Sequence, residues 1–80
     1  MTVQEVKREV IRVIKDSTET ELEISESTQL FDEMGMSSME AFVMLSDLEE
    51  EFNINIPAVS LRKVKIVGEI CELIISILSK

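Results

Sequence analysis

Val3, Val6, Val10, Val13 and Ile14 fall on one apolar stripe at helical spacing, which predicts a first helix from about Thr2 to Lys15 with Lys7, Arg8, Arg12 and Lys15 on its outer side. From Ser17 to Met36 the helical period breaks. This stretch is rich in Ser, Thr and Glu, and carries Leu22, Ile24, Leu30 and Phe31 as isolated apolar residues. It reads as a long ordered loop pinned to the core through those four anchors, and loops of such length are usually functional. A second helix is expected from about Ser38 to Phe52, with Met39, Phe42, Leu45, Leu48 and Phe52 at helical spacing. Ala41, Val43 and Met44 widen its apolar arc beyond one face, so some of these side chains should stay exposed. For Phe42 and Met44, taken singly, ordinary core filling is at least as good a reading. Pro57 disfavours helical geometry at Ile56, so Asn53 to Pro57 should be a short extended link with Ile54 and Ile56 turned inward. Ala58 to Val64 suits a brief third helix, with Val59, Leu61 and Val64 as core or pocket contacts. Val67, Ile70, Cys71, Ile74, Ile77 and Leu78 form the stripe of a last helix ending near Leu78. The expected architecture is all-α: a small four-helix bundle of three main helices and one short one, with a long loop between the first and second, in a single domain over residues 1–80.

The start of the second helix carries the chemistry. Ser37 followed three residues later by Glu40 is a capping box, in which each side chain satisfies the other residue's backbone N–H. Ser38 then occupies the first helical position, beside backbone N–H groups that lack intrahelical partners and at the positive end of the helix dipole. That is a favourable place for a phosphate attached to the Ser38 hydroxyl. Taken alone, a serine at such a place is most often a plain cap.

Composition narrows the field. Eighty residues, 45% of them hydrophobic, make one compact core with no room for a cleft between lobes. There is no His, Trp or Tyr and only three Phe, so a general base near neutral pH would have to be a strongly perturbed carboxylate or Lys, which argues against an enzyme. The lone Cys71 allows no internal disulfide and supplies no metal-ligand cluster; it reads as a small buried hydrophobe. No apolar run is long enough to span a bilayer, and the Met1 end has neither a basic nor an apolar targeting segment, so a reduced, cytoplasmic setting is expected. The stretch from Asp16 to Leu61 contains no Lys or Arg but holds twelve of the sixteen acids. Such a surface repels nucleic acid and anionic lipid and attracts partners with basic patches, although an acidic surface kept for solubility is an equally good reading of the charge alone.

The run Leu30-Phe31-Asp32-Glu33-Met34-Gly35-Met36-Ser37-Ser38-Met39-Glu40 resembles the modification segment of acyl carrier proteins, whose usual form is an apolar residue, an acidic residue, Leu-Gly, one variable residue and Asp-Ser-Leu. The likeness continues through Leu48-Glu49-Glu50-Glu51-Phe52-Asn53-Ile54-Asn55-Ile56-Pro57 and Val67-Gly68-Glu69-Ile70, with ungapped spacing, while the first third matches in pattern only. The resemblance implies 4'-phosphopantetheine attached to Ser38, with Ser37 and Met39 beside it, and a phosphopantetheinyl transferase as the modifying partner. Ser37 stands where the family has Asp, keeping the cap but removing a negative charge. Met39 stands where it has Leu, keeping an unbranched apolar contact. The resemblance also makes the second helix the recognition element, with Met39, Glu40, Phe42, Val43, Ser46, Asp47 and Glu50 meeting acyl-loading and acyl-processing enzymes.

The function so implied is that of a monomeric, non-catalytic carrier that holds acyl groups as thioesters for fatty-acid or, better suited to the departures at Ser37 and Met39, polyketide or other specialised assembly. An amino-acyl or peptidyl carrier is the alternative, although such carriers usually show Gly-Gly before a His/Asp-Ser pair, where this chain has Gly35-Met36-Ser37-Ser38. From another class, an unmodified acidic interaction module remains open. No stretch has the spacing of an EF-hand loop, so only weak, diffuse cation binding is expected. Met44, Ile56, Leu61 and Ile66 are the interior positions at which a guest acyl chain would be accommodated.

Overall fold

The computed structural model describes residues 2–79; Met1 and Lys80 lie outside them. Helix α1 runs Val3–Thr18, α2 Ser38–Phe52 and α3 Val67–Leu78, with a short 3-10 helix at Ala58–Arg62. No strand is formed among the described residues; a lone antiparallel bridge joins Gln29 to Ile66. The all-α expectation of three main helices, one short one and a long loop between the first and second is met.

Thr2 caps α1, its hydroxyl accepting from Glu5 N–H at 3.2 Å while Thr2 N–H donates to the Glu5 carboxylate at 3.0 Å. The helix ends about one turn beyond the expected Lys15, at Glu19, whose left-handed backbone (φ 53°) closes the last turn on Lys15 C=O. Polar composition hid that turn: Ser17 and Thr18 look like loop residues, yet Thr18 Oγ returns its hydrogen bond to Ile14 C=O at 2.7 Å. The stripe itself is as expected, with Val6, Val10, Val13 and Ile14 buried.

These residues meet Ala41, Met44, Leu45 and Leu48 of α2 and Val67, Ile70, Cys71 and Ile74 of α3 in one core. Met44 is therefore core filling, whereas Phe42 is not. Arg12 pairs within α1 with Glu9 and Asp16 at 3.0 and 3.2 Å and across the α1–α2 seam with Glu51 at 2.8 Å, and the Glu9 and Glu51 carboxylates push its pKa up.

The long loop is anchored, but by a different set of residues from the one expected. Ile24 and Leu30 are buried; Leu22 and Phe31 are exposed, and Thr28 and Met36 take their places in the interior. The loop runs beside the start of α3: Leu30 N–H donates to Lys65 C=O, Val67 N–H to Thr28 C=O and Gly68 N–H to Glu26 C=O, at 2.9, 3.0 and 2.7 Å. Backbone pairing of this kind carries no side-chain periodicity, so the pattern of apolar residues did not announce it. Gly68 allows the close approach, since a Cβ there would sit 3.1 Å from Glu26 O. Glu69 caps α3, its carboxylate accepting from Lys65 and Ile66 N–H at 2.7 and 3.1 Å, and those bonds hold its pKa below the ordinary 4.5.

After α2 closes on left-handed Asn53, Glu49 accepts from Ile56 N–H at 2.8 Å and fixes the extended link. Ile56 is buried but Ile54 only partly so. The expected third helix reaches only Arg62 and is 3-10 in form, with Val64 buried beyond its end, Leu61 half-buried and Val59 exposed.

Candidate functional site

The turn before α2 sets the site. Glu33 and Met34 N–H both donate to Gln29 C=O, Met36 N–H donates to Leu30 C=O, and Gly35 between them adopts φ 65° in open space. Only glycine takes that conformation without cost, so the turn can fold back tightly enough to bury Met36 and release Ser37 at the surface.

Ser37 is the N-cap of α2. Its Oγ accepts from Glu40 N–H at 3.2 Å, and Ser37 N–H donates to Glu40 Oε1 at 3.2 Å. Ala41 N–H closes the first turn on Ser37 C=O at 2.9 Å. Of the four N–H groups that open the helix, those of Ser38 and Met39 are left without a protein partner among the described residues. Ser38 is exposed at the first helical position, and its hydroxyl makes no protein hydrogen bond among the described residues. An oxygen so placed is free to carry an anionic substituent, which would meet two unpaired N–H donors and the positive end of a fifteen-residue helix.

An open groove of about 450 Å³ adjoins Ser38. One wall is Ala41 and Phe42 of α2 with Phe31 of the loop; the other is Ala58, Leu61 and Arg62 of the 3-10 helix, closed by Val64 and Lys65. Of the four residues expected to accommodate a guest, only Leu61 lines this groove; Met44 and Ile56 are buried in the core.

The sequence-derived surface residues divide by helical geometry. Met39, Val43, Ser46 and Glu50, at steps of four, three and four, form one outward row along α2, and Met39 and Val43 are 79% and 54% exposed. Phe42, 51% exposed, lies to one side, on the groove. Asp47 lies on the opposite side, half-buried, where it and Glu50 line a polar hollow with Arg12 and Asp16 of α1. Glu40 is committed to the cap. The structure thus brings Ser37, Ser38, Met39 and Phe42 together at the head of α2 and sets Asp47 apart from them.

Sequence reasoning did not place Phe31, Ala41, Arg62 or Lys65 at the site. Arg62 and Lys65 did carry a signal, because they and Lys63 are the sole cations between Lys15 and Lys80.

Among the described residues no group of acids or Cys is arranged to hold a metal ion, and no helix is long and apolar enough to cross a membrane. Residues 4–74 match the family model described as phosphopantetheine attachment site, a span running from the first turn of α1 into the last helix. Members of that family carry 4'-phosphopantetheine covalently attached, and as carrier domains they interact with phosphopantetheinyl transferases and biosynthetic enzymes. With that match covering most of its length, over an all-helical fold that presents a free serine hydroxyl at a capped helix start, the chain belongs to the phosphopantetheine-binding carrier family.

Proposed function

We propose that the protein is a non-catalytic acyl carrier and that Ser38 is its attachment residue. The observation that carries this reading is the contrast between two adjacent serines: the Ser37 hydroxyl is used in the helix cap, while that of Ser38 is exposed beside two unpaired N–H groups. The chemistry of 4'-phosphopantetheine is to supply a thiol that holds an acyl group as a thioester. The chain's own contribution is to present the hydroxyl and stabilise the attached phosphodiester with the Ser38 and Met39 N–H groups. Ser37 and Glu40 hold the helix start in register. The outward row Met39, Val43, Ser46 and Glu50, with Phe42 on its flank, gives partners a few apolar contacts beside an acidic surface. Docking of that kind is fast, weak and sensitive to salt.

The acidic middle of the chain and the Gly35-Met36-Ser37-Ser38 sequence favour a fatty-acid or polyketide-type carrier over a peptidyl one. Incubating apo protein with a phosphopantetheinyl transferase and coenzyme A is expected to add one phosphopantetheinyl group to wild type and none to Ser38→Ala. Failure of the wild type with several transferases would leave an unmodified interaction module as the better account. Loading assays with acyltransferases and with amino-acid-activating enzymes then separate the acyl from the amino-acyl carrier.

A further inference from the structure

Four methionines, Met34, Met36, Met39 and Met44, lie among the described residues, and the fold treats them unequally. Met36 and Met44 are 6% and 0% exposed, sealed in the core, and Met34 is half-buried against it. Met39 is 79% exposed, more than any other large apolar side chain among the described residues. It follows Ser38 directly and heads the outward row Met39, Val43, Ser46 and Glu50. The protein's own packing does not call for sulfur there, because so little of the side chain touches the fold. Leucine, an apolar residue of similar size, would fill the position equally well.

Resting on the carrier reading above, we propose that Met39 is a reversible oxidation site, and that conversion of its thioether to the sulfoxide by a peroxide slows the loading of Ser38. The sulfur lone pair takes one oxygen of the peroxide as the O–O bond breaks, giving the sulfoxide and, from hydrogen peroxide, water; sulfur is oxidised and the peroxide reduced by the same electron pair. Exposure directs the reaction. Burial shields Met36 and Met44, and it shields the thiol of Cys71 as well, so mild oxidation falls first on Met39. The consequence falls on docking. A thioether is a flexible apolar group suited to contact surfaces, whereas its sulfoxide is polar and chiral and must lose water wherever a partner covers it. An enzyme that reaches the Ser38 hydroxyl comes down over the adjoining residue, so this cost is met at the encounter with the enzyme and not in the folded chain itself.

The test treats apo protein with dilute hydrogen peroxide, removes the peroxide with catalase and follows each methionine by peptide mass spectrometry. Met39 should gain its oxygen well before Met34, Met36 and Met44, which should react as readily only in denaturant. A phosphopantetheinyl transferase and coenzyme A are then added. Untreated wild type has to load at Ser38 in the same series; if it does not, the carrier reading falls and takes this inference with it. Burying an unpaired polar group costs an amount equivalent to roughly 5- to 150-fold, so the oxidised protein should load with a kcat/KM at least about fivefold lower. Its melting temperature should stay at the untreated value. Methionine sulfoxide reductases acting on both epimers, with a thiol reductant, should restore the rate. In M39L the loading rate, whatever its level, should be the same before and after peroxide. Oxidation of Met34 or Met36 as fast as Met39 in the folded protein, equal loading with and without the sulfoxide, or a peroxide-induced loss that persists in M39L would each overturn the proposal and leave the carrier reading intact. So would a melting temperature lowered by oxidation of Met39 alone, which would place the effect in the fold and not in docking.

Discussion

Ser37 and Ser38 are adjacent, chemically identical and both exposed, yet their replacement by alanine should have opposite consequences. Ser37→Ala removes the acceptor of the Glu40 N–H and leaves a third unpaired donor at the head of α2. Loss of a cap of this type costs about 1 kcal/mol, within a range of roughly 0.5–2 kcal/mol. For a domain of this size, about 1 kcal/mol lowers the melting temperature by roughly 4–8 °C. Ser38→Ala removes a hydroxyl with no protein hydrogen bond among the described residues, so its effect should stay within about 0.5 kcal/mol. Ser37→Asp restores the acceptor and adds a negative charge at the positive end of the helix, a contribution of roughly 0.3–1 kcal/mol. It should match or exceed wild type. Because Glu40 closes the reciprocal bond, Ser37→Ala and Glu40→Ala together should cost less than the sum of the two. Thermal melts of the apo proteins followed by far-ultraviolet circular dichroism, with urea titrations for the free energies, give all five values. If Ser38→Ala is as damaging as Ser37→Ala, or Ser37→Asp as damaging as Ser37→Ala, the division of labour between the two serines is wrong.

Other perturbations test other parts of the structure. Gly35→Ala forces a Cβ into a left-handed turn with open space around it, so backbone strain of about 1–2 kcal/mol should appear in urea titrations without signs of core disruption. Leu48→Ala empties a fully buried position and should cost roughly 2–5 kcal/mol, a large share of the roughly 5–15 kcal/mol available to a small domain; urea unfolding measures it. Glu69 has a folded pKa below 4.5, so its stabilising effect is full above the unfolded value and disappears as pH falls through the folded one. The stability gap between wild type and Glu69→Gln should accordingly be constant near neutrality and close in acid. Burial pushes the Cys71 thiol up to about 11, so iodoacetamide should label it slowly at pH 8 in the folded protein and rapidly in denaturant.

Much of this was readable in the chain because three helices carry apolar residues at helical spacing and one of them opens on an explicit cap. The Ser37/Glu40 box set the start of α2 at Ser38, and Pro57 set the break after it. The reading was weakest where contacts run through the backbone. The loop is pinned by main-chain bonds to Lys65, Val67 and Gly68 that involve Thr28 directly, while the Gly35 turn buries Met36 and Phe31 is left to line the groove. The groove joins residues from the loop, α2 and the 3-10 helix, and no local period links Phe31, Phe42 and Arg62. Cys71 was legible because its apolar register on the last helix outweighed its chemistry.

The most direct test of the carrier account is peptide-level mass spectrometry after incubation with a phosphopantetheinyl transferase and coenzyme A. The account predicts one phosphopantetheinyl group, located on Ser38, with Ser37→Ala modified and Ser38→Ala unmodified. An adduct on Ser37 or on any other residue, or a Ser38→Ala protein modified to the same extent as wild type, would contradict it.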